Sequence, residues 1–379
     1  GYRRMRVLHA ADSYLPKIGG IELHVRDRMA HQRAAGDEAL LITAAPGPDA
    51  DGVWRANPER RGTFEDRRLC VERALRELRP DVVHVHASII SPFAYLAART
   101  AAERGVPVLV TMHSMWSGLG PLPHLTGAVL GLRGLPIAWS AVSARAAEPL
   151  RVMLGPDVPV HVLPNAVDLD QWHPVDVPAS GVPTVVAVMR LTRIKRTMPL
   201  LRMLAELPSL APRSRAVVVG DGPLREAAHR FVEREGLEDV VSLPGRLAHD
   251  RIQALLAGAA VFVAPAERES FGIAALEARA MGLPVVGSSR SGLTEFITDG
   301  VDGFLAPDDV TMVRRLGQLL RDDALRTRMT AHNRAVAPRH DWAHTTAVAR
   351  SLYSLAAAEA ARTPARAAVP QPTRVAVGR

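Results

Sequence analysis

The residues best placed to do chemistry are two carboxylates, Glu269 and Glu277, that flank Gly272. The apolar run Ala260-Val261-Phe262-Val263 before them is short enough for a buried strand. Leu276, Ala280 and Met281 then recur as one face of a helix, Gly282 stops it, and Pro284-Val285-Val286 opens another strand. This pattern predicts Glu269 at or just before the helix start and Glu277 about two turns in, roughly 12 Å along the axis. Gly272 removes side-chain bulk where backbone N–H groups are unpaired, and a helix N-terminus of that kind binds phosphate. Arg190 and Lys195 follow the apolar run 185–188 at a spacing that lets both bend toward one anion. Gly19 and Gly20 open a helix after the first strand and suit a second anion contact, although a plain tight turn uses the same residues. His113 stands at the carboxyl end of a strand, where ligands sit in open α/β sheets. Together these groups fit an anionic diphosphate better than other common ligands.

Each group has a plainer alternative. Glu277 could be an exposed helix glutamate, Glu269 a favourable charge near the helix dipole, and His113 a structural histidine. His84 and His86 have metal-pair spacing and face one side of a strand, but no third ligand is evident nearby, which favours a packed or hydrogen-bonded role. No Gly-x-Gly-x-x-Gly fingerprint follows the first strand, and no Walker-type loop or Gly-x-Ser-x-Gly elbow is present.

The elements that must position these groups read as two consecutive βαβ series. That makes the fold class α/β, two doubly wound Rossmann-like domains facing across a central cleft. The expected boundaries are 1–175 for the first domain, 176–183 for a linker and 184–340 for the second. Residues 46–62 and 115–134 read as loops, the latter as a loop or lid, and the Pro- and Ala-rich residues 362–379 as a disordered tail. At 379 residues the chain is long enough for two such cores. Aromatics at 4% argue against a base-stacking platform and so against a specific nucleic-acid partner. Cys70 is the only cysteine, which excludes an intramolecular disulfide and a thiolate metal cluster and fits a reducing, cytoplasmic setting. The formal net charge is +8, and only Lys17 and Lys195 are lysines; the arginine excess reads mainly as a solvated surface. Arg26, Arg28 and Arg33 on the first helix would suit peripheral contact with the inner face of a membrane. No apolar stretch reaches membrane-spanning length, and the first apolar run ends too early, at Asp12, for a signal peptide.

At this point the residues carry a resemblance. Glu269-Ser-Phe-Gly-Ile through Glu277, followed by Gly282-Leu-Pro-Val-Val, is similar to the signature glutamate pair of the family 4 retaining glycosyltransferases of GT-B fold. Supporting matches occur in the expected order: Gly19-Gly20-Ile21-Glu22, Asp81-Val-Val-His84-Val-His86, Pro164-Asn165-Ala166-Val167-Asp168, Gly220-Asp221-Gly222-Pro223 and Asp299-Gly-Val-Asp-Gly303. The resemblance implies metal-independent, cofactor-free transfer of a sugar from a nucleotide-sugar donor, a UDP-sugar by family frequency, with retention at the anomeric carbon. The acceptor would be a small molecule or a lipid-linked glycan. It further implies that Arg190 and Lys195 stabilise the leaving diphosphate, and that Gly19, Gly20, Gly272 and Ile273 add backbone contacts beside Phe271. Glu277 would hold the ribose, Glu269 the donor-sugar hydroxyls, His113 the sugar near its reacting face, and Arg246 the base. No protein nucleophile is assigned; front-face transfer assisted by the leaving phosphate is the implied course. Trp342 and Tyr353 resemble the family's C-terminal helix, expected at 341–361 and crossing back onto the first domain. Met189 and Arg196 stand where the family usually has glycine. A sugar-nucleotide epimerase on the same architecture and a non-catalytic basic polyanion binder are the rival readings.

Overall fold

Long apolar runs such as Val82–Ala87, buried at every position, can only be central strands covered on both faces, and they set the architecture. The computed structural model describes residues 4–17, 19–48, 50–56, 63–115, 131–132, 134–177 and 181–362. The first domain runs β1 (Arg6–Ala11), α1 (Gly20–Ala34), β2 (Glu38–Thr43), β3 (Val53–Arg55), α2 (Phe64–Leu78) and β4 (Val82–Ala87). It continues with α3 (Pro92–Glu103), β5 (Val108–Met112), β6 (Ile137–Ala141), α4 (Ala144–Leu154) and β7 (Val160–Val162). These strands form one parallel sheet in the order β3-β2-β1-β4-β5-β6-β7.

The second domain begins β8 (Thr184–Val188), α5 (Thr197–Leu204), α6 (Leu207–Leu210), β9 (Arg215–Val219), α7 (Arg225–Arg234) and β10 (Val241–Gly245). It goes on through α8 (His249–Ala257), β11 (Val261–Ala264), α9 (Ile273–Ala280), β12 (Val285–Ser288), a 3-10 turn (Gly292–Glu295) and β13 (Gly303–Ala306). Helices α10 (Asp309–Arg321) and α11 (Asp323–Ala335) complete it. Its parallel sheet has the order β10-β9-β8-β11-β12-β13. In both sheets the strand order reverses once, between β1 and β4 and between β8 and β11. At such a switch point the loops leave in opposite directions and open a crevice at the carboxyl ends of the strands.

The last helix, α12 (Trp342–Arg362), packs on the first sheet. Ala349, Leu352, Tyr353 and Ala356 are buried against Val7, Val82, Leu109, Ala138 and Leu163, and Arg350 pairs with Asp37. Burying a side chain such as Leu352 contributes about 2 kcal/mol, so a few such contacts fasten the chain's end to its beginning. The domains also meet directly. The Ala144 N–H donates to Glu295 Oε1 at 2.6 Å and Arg145 donates to the Ser289 carbonyl at 3.2 Å, while Arg334 pairs with Asp176 of the linker.

Three local expectations change. Part of the loop expected at 46–62 is β3, a three-residue edge strand held by pairing with β2, too short to show a period. Helix α9 starts only at Ile273, because Gly272 is left-handed (φ +97°) and ends the preceding loop, so Glu277 lies about one turn in rather than two. Arg28 is 1% exposed, its guanidinium 5.6 Å from the Trp342 ring centre, and therefore cannot face a membrane; Arg26 and Arg33 are exposed. Most of the expected lid and the whole of 363–379 lie outside the described residues. Among the described residues, no helix is long and apolar enough to cross a membrane.

Candidate active site

The β8/β11 switch point assembles the second domain's share of the site. The loop after β8 carries Arg190 and Lys195, and the loop after β11 carries Glu269 and leads into α9. Lys195 Nζ donates to Glu269 Oε2 at 2.5 Å, with the two side chains 30% and 21% exposed. Arg190 is exposed and has no hydrogen-bond or ion-pair partner among the described residues. The β8 loop thus carries one cation held by a carboxylate of the β11 loop and one that is open.

Arg196, where a glycine is usual, adopts the left-handed conformation that a glycine would take without strain (φ +60°). Its guanidinium is held by both Asp309 oxygens, at 2.7 and 2.9 Å, and by the Pro265 carbonyl at 3.3 Å. The arginine therefore ties the β8 loop to the β11 loop and to α10. Met189, the other departure, passes its carbonyl close to Gly220, where an added Cβ would lie 1.8 Å from the Met189 oxygen. At that contact the glycine stands on the neighbouring strand's loop instead.

Gly272 caps α9 with no side-chain hydrogen bond, so the first-turn N–H groups from Ile273 onward remain available to a ligand. Glycine suits the position, since its φ of +97° strains any other residue and an added Cβ would also press on Leu293 Cδ1 at 2.7 Å. Phe271 is 1% exposed, its ring packed 5.3 Å from Phe296 and 5.8 Å from His340, which leaves only its backbone to reach a ligand. Glu277 is half-buried, and burial, aided by the charge of Asp27, pushes its carboxyl up to about 8. Asp27 lies on α1, so the two domains' helices α1 and α9 sit close enough for their carboxylates to repel.

On the first domain, Gly19 caps α1, and the carboxylate of Glu22 fills the space its side chain would need. Gly20 is exposed, and a Cβ added there would meet nothing within 4 Å. His113 follows β5 and is 8% exposed; burial, together with the nearby Arg28 charge, lowers its pKa to about 3. Arg246 stands apart from the Lys195–Glu269 pair. It is exposed at the end of edge strand β10, with Asp221 Oδ2 3.8 Å away.

Behind His113 lies a polar interior that the sequence reading missed. The β1–β4 register sets His9 beside His84, and His9, His84 and His86 offer nitrogens within 4.8 Å of one another. The third histidine beside His84 and His86 thus exists, supplied by β1. The hydrogen-bonded role holds for all three: His9 Nδ1 lies 2.9 Å from His86 Nε2, and His84 Nε2 lies 2.8 Å from Thr111 Oγ1. Helix α1 adds His24, Arg28 and Gln32, one helical turn apart and all buried. That four-residue spacing of polar residues on one face was the available signal.

With this geometry in hand, the molecule is defined as a GT-B protein, two Rossmann-like domains with their strand ends turned to a shared cleft. The chain belongs to the glycosyltransferase group 1, family 4 enzymes. Residues 18–171 match the Glycosyltransferase Family 4 model and residues 170–336 the Glycosyl transferases group 1 model. A D-inositol 3-phosphate glycosyltransferase of Xylanimonas cellulosilytica is 32% identical over 73% of this chain and 72% of its own. A second D-inositol 3-phosphate glycosyltransferase, from Stackebrandtia nassauensis, is 29% identical over 91% of this chain and 84% of its own. Among solved structures, Anabaena Alr3699/HepE in complex with UDP and glucose superposes with a TM-score of 0.75 at 20% identity, covering 93% of this chain and all of that one.

Proposed function

We propose that this glycosyltransferase moves a sugar from a nucleotide-sugar donor, favoured as a UDP-sugar, to a hydroxyl acceptor, with retention and without a metal. The observation that carries the reading is the Lys195–Glu269 pair at the β8/β11 switch point, with the open Arg190 on the same loop as Lys195 and the uncapped start of α9 following Glu269. A diphosphate seated there would take Lys195 from Glu269, gain Arg190 and accept from the N–H groups of Gly272 and Ile273. These groups stabilise charge where it develops as the glycosidic bond to the diphosphate breaks. Released from Lys195, Glu269 accepts from donor-sugar hydroxyls. Glu277 grips the ribose, Arg246 lies toward the base, and Gly19, Gly20 and His113 close the site from the first domain. No side chain serves as nucleophile; the leaving phosphate takes the acceptor proton on the same face. The acceptor is a small molecule or a lipid-linked glycan.

The test is transfer and donor hydrolysis with Glu269→Ala and Lys195→Ala. Both should lose activity by about a hundredfold or more, the loss typical of removing one group that stabilises developing charge. Wild-type turnover in both would refute the site. Turnover of donor without acceptor to an epimeric nucleotide-sugar would indicate the epimerase instead.

A further inference from the structure

The buried groups behind His113 form one continuous hydrogen-bonded chain. His113 Nε2 lies 3.0 Å from His86 Nδ1, His86 Nε2 lies 2.9 Å from His9 Nδ1, and His9 Nε2 lies 2.7 Å from Gln32 Oε1. Gln32 Nε2 donates to the Tyr353 hydroxyl at 3.0 Å, which lies 2.9 Å from His84 Nδ1. His84 Nε2 reaches Thr111 Oγ1 at 2.8 Å, Thr111 reaches Ser140 Oγ at 2.8 Å, and Ser140 donates to the Val110 carbonyl at 3.1 Å.

A neutral imidazole has one donor and one acceptor, and a hydroxyl has one proton. The far end of the chain is a carbonyl, which can only accept. Ser140 therefore gives its proton to Val110, Thr111 gives its own to Ser140, and His84 donates from Nε2 and must accept at Nδ1 from Tyr353. The Gln32 amide, with its nitrogen toward Tyr353 and its oxygen toward His9, carries the same polarity onward. His9 then donates from Nε2 and accepts at Nδ1 from His86 Nε2–H, and His86 accepts at Nδ1 from His113 Nε2–H. Burial favours the neutral form of each ring, lowering the pKa values of His9 and His113 to about 3 and those of His84 and His86 well below the usual value.

We propose that this one-way chain locks His113 as the Nε2–H tautomer, so that its other nitrogen, Nδ1, acts only as an acceptor and selects a hydroxyl donor on the ligand. His113 bonds its neighbours through Nε2, and none of the hydrogen bonds among the described residues uses its Nδ1. The inference deepens the proposed function, on which the ligand side of it rests. His9, His86 and Tyr353 are positioning residues, and Tyr353 wires the returning helix α12 to the site. A metal held by His9, His84 and His86 is the weaker reading. All six ring nitrogens already lie 2.7–3.0 Å from hydrogen-bond partners, which a cation would have to displace.

Two measurements test this. In the full chain labelled with 15N-histidine, two-bond 15N–1H correlation spectra at neutral pH should show His113, His86 and His9 all neutral and protonated at Nε2, with His113→Asn providing the assignment. An Nδ1–H or charged His113 overturns the proposal, whatever the protein's activity. The second compares two amides of similar size. His86→Asn places an oxygen where Nδ1 was and keeps the acceptor for His113; His86→Gln places its amide where Nε2 was and loses that acceptor. A purely structural role would damage both alike. The lock predicts that His86→Asn retains the Nε2–H signature of His113, while His86→Gln gives mixed tautomers and kcat about tenfold below that of His86→Asn. Equal kcat in the two variants, with the Nε2–H signature of His113 intact in both, contradicts it. If no nucleotide-sugar is turned over at all, the spectra still decide the tautomer while the proposed function fails separately.

Discussion

Lowering the pH from 7.5 to 5.5 should cost the ligand-free protein much of its stability, because five buried histidines cannot take up protons without disturbing the fold. His9, His24, His84, His86 and His113 all have pKa values lowered by burial, those of His9 and His113 to about 3. The unfolded chain protonates these rings below about 6.5, so their stabilising effect is present above that pH and is lost as the pH falls. At pH 5.5 each ring that stays neutral in the fold costs about 1 kcal/mol, and the five together several kcal/mol. Glu277 acts the other way. Its carboxyl, raised to about 8, is neutral in the fold and ionised in the unfolded chain above about 4.5, so acid favours the fold here. Over the same interval it restores on the order of 2 kcal/mol. The five histidines lie in the first domain and Glu277 in the second, so the first domain keeps the histidines' loss, several kcal/mol and a large fraction of an ordinary domain's stability. Urea unfolding followed by tryptophan fluorescence reports the relevant half, because Trp54, Trp116, Trp139, Trp172 and Trp342 all lie outside 184–340. A free energy of unfolding that changes by less than about 1 kcal/mol between the two pH values would refute the neutral, buried cluster.

Tyr353→Phe should destabilise the first domain by about 2 kcal/mol in the same assay, since it strands the Gln32 donor and the His84 acceptor in the interior. Arg196→Ala should be less stable than Arg196→Gly by about 1 kcal/mol by thermal unfolding, because both lose Asp309 but only alanine keeps a Cβ in the left-handed conformation. If Glu277 binds the ribose as a carboxylate, nucleotide affinity should rise about tenfold between pH 7 and pH 9 by calorimetric titration, and Glu277→Gln should bind weakly with no such rise.

What the sequence made legible was mostly what period and punctuation encode. Buried parallel strands such as Val82–Ala87 read as unbroken apolar runs, and the β11-loop-α9 unit announced itself through its glutamates and glycine. The polar interior was hidden for a physical reason. His9 meets His84 only through the pairing of β1 with β4, and Tyr353 joins them from the far end of the chain. Arg28 reads as a solvated charge on its helix until α12 covers it with Trp342. The start of α9 falls later than expected, at Ile273, because a left-handed Gly272 separates Glu269 from the helix, a backbone choice that composition does not reveal. Arg196 in a glycine's place makes sense only once Asp309 is seen gripping it from α10.

The most direct test of the central claim, that the β8/β11 switch point seats the diphosphate of a nucleotide-sugar, is a thermal-shift titration of wild type and Lys195→Ala with UDP-, GDP-, ADP- and TDP-sugars. One nucleotide class, UDP first, should raise the wild-type melting temperature in a saturable way, and Lys195→Ala should lose most of that shift. No shift with any of the four, or an undiminished shift in the variant, would contradict the claim.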